Sequence, residues 1–163
     1  MRARPEALAR VAARLREELA DLAVVVDSLD DALARWGPEP QEAPTVHWLA
    51  GLVHDFYTGL EKAFCDISPE LNGREQVGET WHRDLLHAMT LDLPEFRPPV
   101  IRGELEPPLL ELLRFRHVYR NLYSFRLRWD RVRRLAEHVR DLWPDVRSDL
   151  TRFVSTLDAL ARS

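Results

Sequence analysis

Cysteine, lysine and glycine are scarce in this sequence, and long apolar runs are missing. Cys65 is the only cysteine, so no internal disulfide can form, and Phe64 and Ile67 beside it predict a buried, inert thiol in a reducing compartment. No run approaches the length of a membrane span, and neither a secretory leader nor a transit peptide is recognisable at the start. We therefore expect a cytoplasmic protein.

The composition predicts one globular domain over residues 1–163. With 45% hydrophobic and 31% charged residues, the chain has the balance of a globular protein and is long enough to bury one core without staples. The eleven prolines cluster between periodic apolar segments, and only six glycines are present. Both features favour long helices joined by firm connections.

Apolar residues at helical spacing predict five helices and an all-α fold, a four- to five-helix antiparallel bundle. The helices are expected at about Glu6 to Trp36, Pro44 to Ile67, Glu79 to Met89, Pro107 to Phe125, and Trp129 to Ala161. The stretch from Ser68 to Gly78 has the residues of a longer connection. Pro144 is expected to kink or interrupt the last helix, because proline removes a backbone donor and collides with the preceding turn.

Basic residues are unevenly distributed, although the net charge is −4. Eight arginines lie between Arg114 and Arg134, with Asp130 as the only acid among them. Such a local excess attracts phosphate groups. The alternative is a solvated arginine face that only provides solubility, in a chain whose single lysine is Lys62, and charge alone favours this alternative.

The common metal and nucleotide motifs are missing. The six histidines form no His-Glu-x-x-His or paired Glu-x-x-His pattern, and there is neither a Cys-x-x-Cys pair nor a glycine-rich phosphate loop. We therefore expect neither a metal nor a cofactor.

The fourth predicted helix has a wide polar face opposite an apolar one. Its hydrogen-bonding side chains are Arg116, His117, Tyr119, Arg120, Asn121 and Tyr123, and its apolar face consists of Phe115, Val118, Leu122 and Phe125. Because each residue turns about 100° around a helix, Arg116, Arg120 and Tyr123 fall within one narrow arc. Together these three side chains could bind one phosphate group.

These residues resemble the motif of a known family. The pattern Arg116-His117-x3-Asn121-x-Tyr123 resembles the Arg-polar-x3-His-x-Tyr motif of HepT-like HEPN proteins. Further segments resemble other parts of the same family, in the same order and over residues of about 45 to 155. They are His54 to Glu61, Gly78 to His82, Leu127 to Val132, and Leu142 to Pro144.

The resemblance implies a helical bundle of HEPN type that dimerises and sets two motif helices around a shared cleft. Many members of the family are metal-independent ribonucleases, toxins that act beside a nucleotidyltransferase antitoxin. By this likeness Arg116 would bind the scissile phosphate of RNA, with Arg114 and Arg120 as further phosphate-binding residues. Position 121 would act on the 2′-hydroxyl or the leaving oxygen, and Tyr123 matches a tyrosine that the partner adenylylates in some toxin pairs.

Asn121 stands where the catalytic pattern usually has histidine, and an amide cannot exchange a proton near neutral pH. Two interpretations stay open: His117 supplies the acid–base function, or the protein binds RNA, a nucleotide or a nucleotidyltransferase without cutting. On an ideal helix Arg116 and Asn121 point about 140° apart, so we expect a two-fold homodimer with the motif helices facing across a basic groove.

This account requires Arg116 to face that groove, and a packed interior position would contradict it. Several other polar and aromatic side chains are predicted to be packing groups, with Glu61 or His54 as alternative candidates for the cleft. They are His54, Tyr57, Glu61, Trp81, His82, Trp129 and Trp143.

Overall fold

The computed structural model describes residues 4–71, 80–94, 96–121, 123 and 126–163, and for residues 69–71 the backbone only. Over these ranges the chain forms five α-helices: α1 (Pro5–Arg35), α2 (Ala43–Leu71), α3 (Trp81–Thr90), α4 (Glu106–Asn121) and α5 (Trp129–Ala161). A single 3-10 turn precedes α4, and the described ranges contain no strand beyond one isolated bridge. The predicted all-α fold is confirmed.

Helices α1 and α2 form an antiparallel pair. Arg14 near the start of α1 bonds Asp66 near the end of α2, at 3.1 Å, whereas Trp36 after α1 meets Trp48 near the start of α2. The apolar stripe predicted for α1 is buried, with Leu15, Leu22 and Leu29 essentially inaccessible. A helix with one such stripe is stable only when another element covers it.

Helix α5 covers the other side of α1 and also runs antiparallel to it. Arg16 pairs with Asp158 near the end of α5, and the indole nitrogen of Trp129 at its start donates to the carbonyl of Gly37, at 3.0 Å. Helices α1, α2 and α5 therefore enclose the main core, while α3 and α4 pack on α2 and on each other.

Two buried charged residues fix the segments around α4. Asp149 on α5 is fully buried and accepts hydrogen bonds from the backbone amide and the guanidinium of Arg102. Burial opposes its ionisation, but the bonds from Arg102 outweigh that effect and lower the pKa of Asp149. Arg97 donates to the carbonyl oxygen of Ala88 near the end of α3, at 2.6 Å, and burial lowers its pKa to about 10. The bonds to Asp149 thus fix the segment before α4 on α5, and the bond from Arg97 fixes the segment after α3 on the end of that helix.

Two helix ends differ from the sequence prediction. Helix α2 continues past Ile67 to Leu71, because proline already has a helical φ angle and Pro69 withdraws only one donor near the helix end. Helix α4 ends at Asn121 rather than near Phe125, and Leu122 and Phe125 lie outside the described residues. The first residues of the connection predicted from Ser68 are therefore helical. The rest of that connection, residues 72–78, lies outside the described residues.

Helix α5 is not interrupted at Pro144. Trp143 and Val146, on either side of the proline, are both buried, and their packing offsets the loss of one backbone hydrogen bond. None of the helices over the described ranges is long and apolar enough to cross a membrane.

Candidate active site between α3 and α4

Glu61 on α2 is the buried acid that connects the three helices around the site. Glu61 is only 6% exposed. One carboxylate oxygen accepts a hydrogen bond from Arg116 Nη1 on α4, at 2.5 Å, and the other lies 2.6 Å from His82 Nδ1 on α3. The result is a continuous Arg116–Glu61–His82 chain through the centre of the site.

Because the Arg116–Glu61 ion pair is buried, it strongly constrains how α4 packs on α2. An ion pair removed from water cannot lose one partner without leaving the other charge uncompensated, which typically costs about 3–5 kcal/mol. Arg116 is 8% exposed, so it depends on Glu61 for a counter-charge. The arrangement of α2 and α4 is therefore coupled to the ionised Glu61.

His82 has one ring nitrogen fixed and the other available. Because an ionised carboxylate can only accept, Nδ1 is the nitrogen that donates to Glu61, and Nε2 is turned away from it. The side chain is 33% exposed and its ring stacks on Trp81, with the centroids 3.6 Å apart. His82 is thus held in a defined orientation.

A cleft of about 400 Å³ opens between α3 and α4 next to His82. A second cavity of about 30 Å³ shares three of its lining residues, namely His82, Leu113 and His117. We call these two cavities together the α3–α4 cleft. Its other lining residues are Thr80, Arg83, Leu110, Arg114, Arg116, Val118 and Arg120.

Three exposed arginines at this cleft have no acidic partner. Over the described ranges, Arg83, Arg114 and Arg120 form no ion pair, whereas Arg102, Arg128 and Arg133 are each paired with an acid. Unpaired guanidinium groups at the edge of a concave surface create a positive potential that attracts phosphate. The α3–α4 cleft is therefore suited to an anionic ligand.

Four further arginines of the basic cluster border a second groove, of about 550 Å³, between α4 and the start of α5; they are Arg126, Arg128, Arg131 and Arg134. Here the charge is partly neutralised, since Arg128 pairs with Asp130 at 3.0 Å and Arg134 lies 3.7 Å from Glu111. Val118 lines both this groove and the α3–α4 cleft, so the two basic surfaces flank the exposed side of α4.

The expectation that Arg116 faces an open groove is wrong. The residue is buried, and its guanidinium turns inward because the carboxylate of Glu61 lies beneath α4. It reaches only the floor of the small cavity, between His82 and His117. This geometry does not suit the role of principal phosphate ligand, so phosphate binding at the cleft would fall to the exposed Arg114 and Arg120, of which Arg120 lines the same small cavity as Arg116.

The other predicted site residues lie at the surface. His117, Arg114 and Arg120 are exposed and line the α3–α4 cleft. Asn121 is exposed at the end of α4, where its side-chain amide donates to the carbonyl of His117, at 2.8 Å. Tyr123 lies beyond the helix and is 72% exposed. The predicted divergence of Arg116 and Asn121 is consistent with one being buried and the other exposed.

The sequence prediction missed His82, which was assigned to packing. Tyr57 and Glu61 are buried as predicted, but Glu61 also reaches into the site, the alternative that the sequence left open. His54 lies elsewhere, with its ring 4.8 Å from that of Tyr119. No local spacing could have joined His82 to Glu61, since they belong to different helices and are 21 positions apart.

Burial also affects two neighbours of Glu61. The pKa of the Tyr57 phenol is raised well above its usual range, first by burial and then by the charge of Glu61. The same two causes, burial and the charge of Glu61, raise the pKa of the Cys65 thiol. The sequence predicted a buried thiol, whereas Cys65 is only half-buried. A thiol with a raised pKa is a poor nucleophile, so Cys65 has no evident chemical role.

Metal ligands are not assembled in the part of the chain that the structure describes. No group of three or more histidine, cysteine or acidic side chains there is arranged to hold a metal ion. The α3–α4 cleft itself presents two histidines, His82 and His117, and three exposed arginines.

The fold and the cleft define an all-helical protein with a basic, histidine-containing site at its motif helix. The family model described as HepT-like protein matches residues 48–157, which include α3, α4 and most of α2 and α5. The chain belongs to this HepT-like family, of the HEPN type. No match to the chain was found among the curated proteins or among the solved structures.

Proposed function

We propose that this HepT-like protein is a metal-independent endoribonuclease that cleaves RNA in the α3–α4 cleft. The observation that carries this proposal is the position of His117 beside the unpaired Arg114 and Arg120. An imidazole can move a proton near neutral pH, and guanidinium groups can bind a phosphodiester through paired hydrogen bonds. Together they provide what phosphoryl transfer needs without a metal.

In this reaction the 2′-oxygen of RNA attacks the adjacent phosphorus. The bond to the 5′-oxygen breaks, and the products are a 2′,3′-cyclic phosphate and a 5′-hydroxyl. His117 takes the proton of the 2′-hydroxyl, while Arg114 and Arg120 stabilise the charge that develops on the phosphoryl oxygens. Arg116 acts from below as a positioning residue, through its contact with Glu61.

A second candidate function is binding without cleavage. Asn121 replaces the usual histidine, and its amide is engaged by a carbonyl of its own helix. This observation favours a helical dimer that binds RNA, a nucleotide or a nucleotidyltransferase and leaves the phosphodiester intact. The two candidates differ only in whether His117 compensates for Asn121.

The proposal extends to the cellular setting. We propose a cytoplasmic homodimer, a toxin that acts beside a nucleotidyltransferase antitoxin. Family membership supports this setting, and Val118, 49% exposed between two basic surfaces, supports contact through α4. The exposed position of Tyr123 is compatible with its modification by such a partner.

Comparison of two alanine variants tests the ribonuclease activity. The wild-type protein is expected to cleave an oligoribonucleotide in EDTA. His117→Ala should slow this reaction about 10²- to 10⁴-fold, the usual contribution of a general acid or base, whereas Asn121→Ala should change it little. His47→Ala, which alters an exposed histidine outside the cleft, is the control.

Two results would contradict this expectation in different ways. Binding of RNA by the wild-type protein without any cleavage would establish the second candidate function. Equal and negligible effects of His117→Ala and Asn121→Ala on a measurable rate would remove His117 from the mechanism.

A further inference from the structure

Among the contacts of the described residues, His82 is the one histidine that combines a buried carboxylate partner with a place in the basic cleft. His87, on the same helix, also pairs with an acid, Glu106, at 2.9 Å, but it lies outside the cleft. His138 and His47 are outside it too. The combination found at His82 is typical of a histidine that is held in one orientation for proton transfer.

We propose that His82 is the second catalytic residue of the cleft and serves as the general acid that protonates the leaving 5′-oxygen. This inference rests on the proposed ribonuclease activity and assigns a residue outside the family motif. His82 and His117 both line the part of the cleft that measures about 400 Å³, which has room for a phosphodiester group between them. Attack and departure of the two oxygens then each have a proton-transfer group.

The hydrogen bond to Glu61 determines which of the two histidines is the acid. Because Nδ1 donates to Glu61, the nitrogen that can carry the transferable proton is Nε2, which is turned away from the carboxylate. The same carboxylate stabilises the positive charge of the ring while Nε2 is protonated. In the described part of the chain His117 has no carboxylate partner, which suits it to the role of base.

The proton balance closes over one turnover. His117 takes the proton of the 2′-hydroxyl as the new bond from the 2′-oxygen to phosphorus forms. His82 gives its Nε2 proton to the 5′-oxygen as the bond from phosphorus to that oxygen breaks. Exchange with water restores both histidines, and no metal or redox partner is required.

Arg116 and Glu61 are positioning residues in this scheme. Arg116 bonds one oxygen of Glu61 and leaves the other to His82, so the carboxylate is held from both sides. The motif arginine thereby influences the reaction from a buried position. The lost histidine at position 121 is replaced in function by a residue from another helix.

Two substrates with different leaving groups test the assignment. The first is a short oligoribonucleotide, whose 5′-oxygen needs a proton to depart. The second is uridine 3′-(4-nitrophenyl phosphate), whose nitrophenolate departs without one. The variant is His82→Asn, because the asparagine amide can still donate to Glu61 and so preserve the fold.

His82→Asn should cleave the oligoribonucleotide about 10²- to 10⁴-fold more slowly than the wild-type protein and the nitrophenyl ester at nearly the wild-type rate. His117→Ala should slow both reactions, since both substrates require removal of the 2′-proton. The matched control is His87→Gln, which removes a histidine–carboxylate pair on the same helix and should leave both rates unchanged.

Each other outcome overturns the assignment. Equal losses on both substrates would show that His82 is not the acid, and normal cleavage of RNA by His82→Asn would remove it from the reaction while the proposed ribonuclease activity stands. Failure of the wild-type protein to cleave either substrate would overturn this assignment and the proposed function together.

Discussion

At the scale of single residues, Tyr57 carries a polar group that its surroundings do not satisfy. The side chain is fully buried, and its hydroxyl has no hydrogen-bond partner within the described ranges. Leaving such a group unpaired typically costs about 1–3 kcal/mol of stability. Tyr57→Phe should therefore raise the free energy of unfolding, by about 1 kcal/mol, as measured by urea denaturation.

A neighbouring aromatic residue provides the comparison for Tyr57. Phe56 is equally buried and has no polar group. Phe56→Ala should therefore lower the free energy of unfolding by about 3–5 kcal/mol, because it leaves a cavity in the core. A loss of stability in Tyr57→Phe would show that the hydroxyl does have a partner in solution, such as a buried water molecule.

The residue scale is also where the sequence prediction was weakest. Helical periodicity predicts which residues share a face, and it correctly separated Arg116 from Asn121. It does not predict what lies opposite that face. The side chain that turns Arg116 inward, Glu61, is 55 positions away on another helix, and only the packing of α2 against α4 brings them together.

At the scale of helices, the sequence predicted that each helix exists, but it did not predict where two of the helices end. All five helices were expected, because each carries an apolar stripe at the helical period. The end of α4 at Asn121 and the continuation of α2 past Ile67 were not expected, and of the two alternatives for Pro144, a kink or an interruption, the interruption is wrong. Pro144 and Pro69 both lie within helices, since burial on either side of Pro144 and the terminal position of Pro69 make the missing donor tolerable.

The exposed side of α4 is the element on which the proposed dimer depends. Val118 lies there between the two basic grooves, with the half-buried Leu113 and Phe115 close by in sequence. Light scattering should show a dimer for the wild-type protein and a monomer for Val118→Asp, because a carboxylate in an apolar contact costs several kcal/mol unless it is paired.

A second exposed valine makes the control for this experiment. Val24 is even more exposed than Val118 and lies on α1, which packs on α2 and α5, so Val24→Asp should remain dimeric. A wild-type protein that is monomeric at working concentration, or a Val118→Asp variant that stays dimeric, would contradict association through this side of α4.

At the scale of the whole molecule, the distribution of charge matters more than its sum. The net charge is −4, yet three arginines that form no ion pair over the described ranges, Arg83, Arg114 and Arg120, border one cleft. Screening in physiological salt limits the effect of distant acids to about 8 Å, so a polyanion at the cleft encounters mainly the local guanidinium groups. An acidic protein can therefore present a binding surface for RNA.

The whole-molecule view also explains which part of the site was predictable. The motif on α4 was recognisable because its residues are close in sequence, and it includes His117, with Arg114 and Arg120 as its neighbours in the same segment. The contribution of α3 was not, since His82 reaches the cleft only through the packing of α3 on α4 and α2. The site is a property of three helices, of which the sequence identified one.

The most direct test of this account is a nuclear magnetic resonance titration of the histidine rings with a 2′-O-methyl dinucleotide, which binds but cannot be cleaved. The imidazole signals of His82 and His117 should shift together with a common dissociation constant, while those of His47 and His138 stay in place. Shifts confined to His47 or His138, or no shift of any ring at saturating dinucleotide, would contradict a phosphodiester site between α3 and α4.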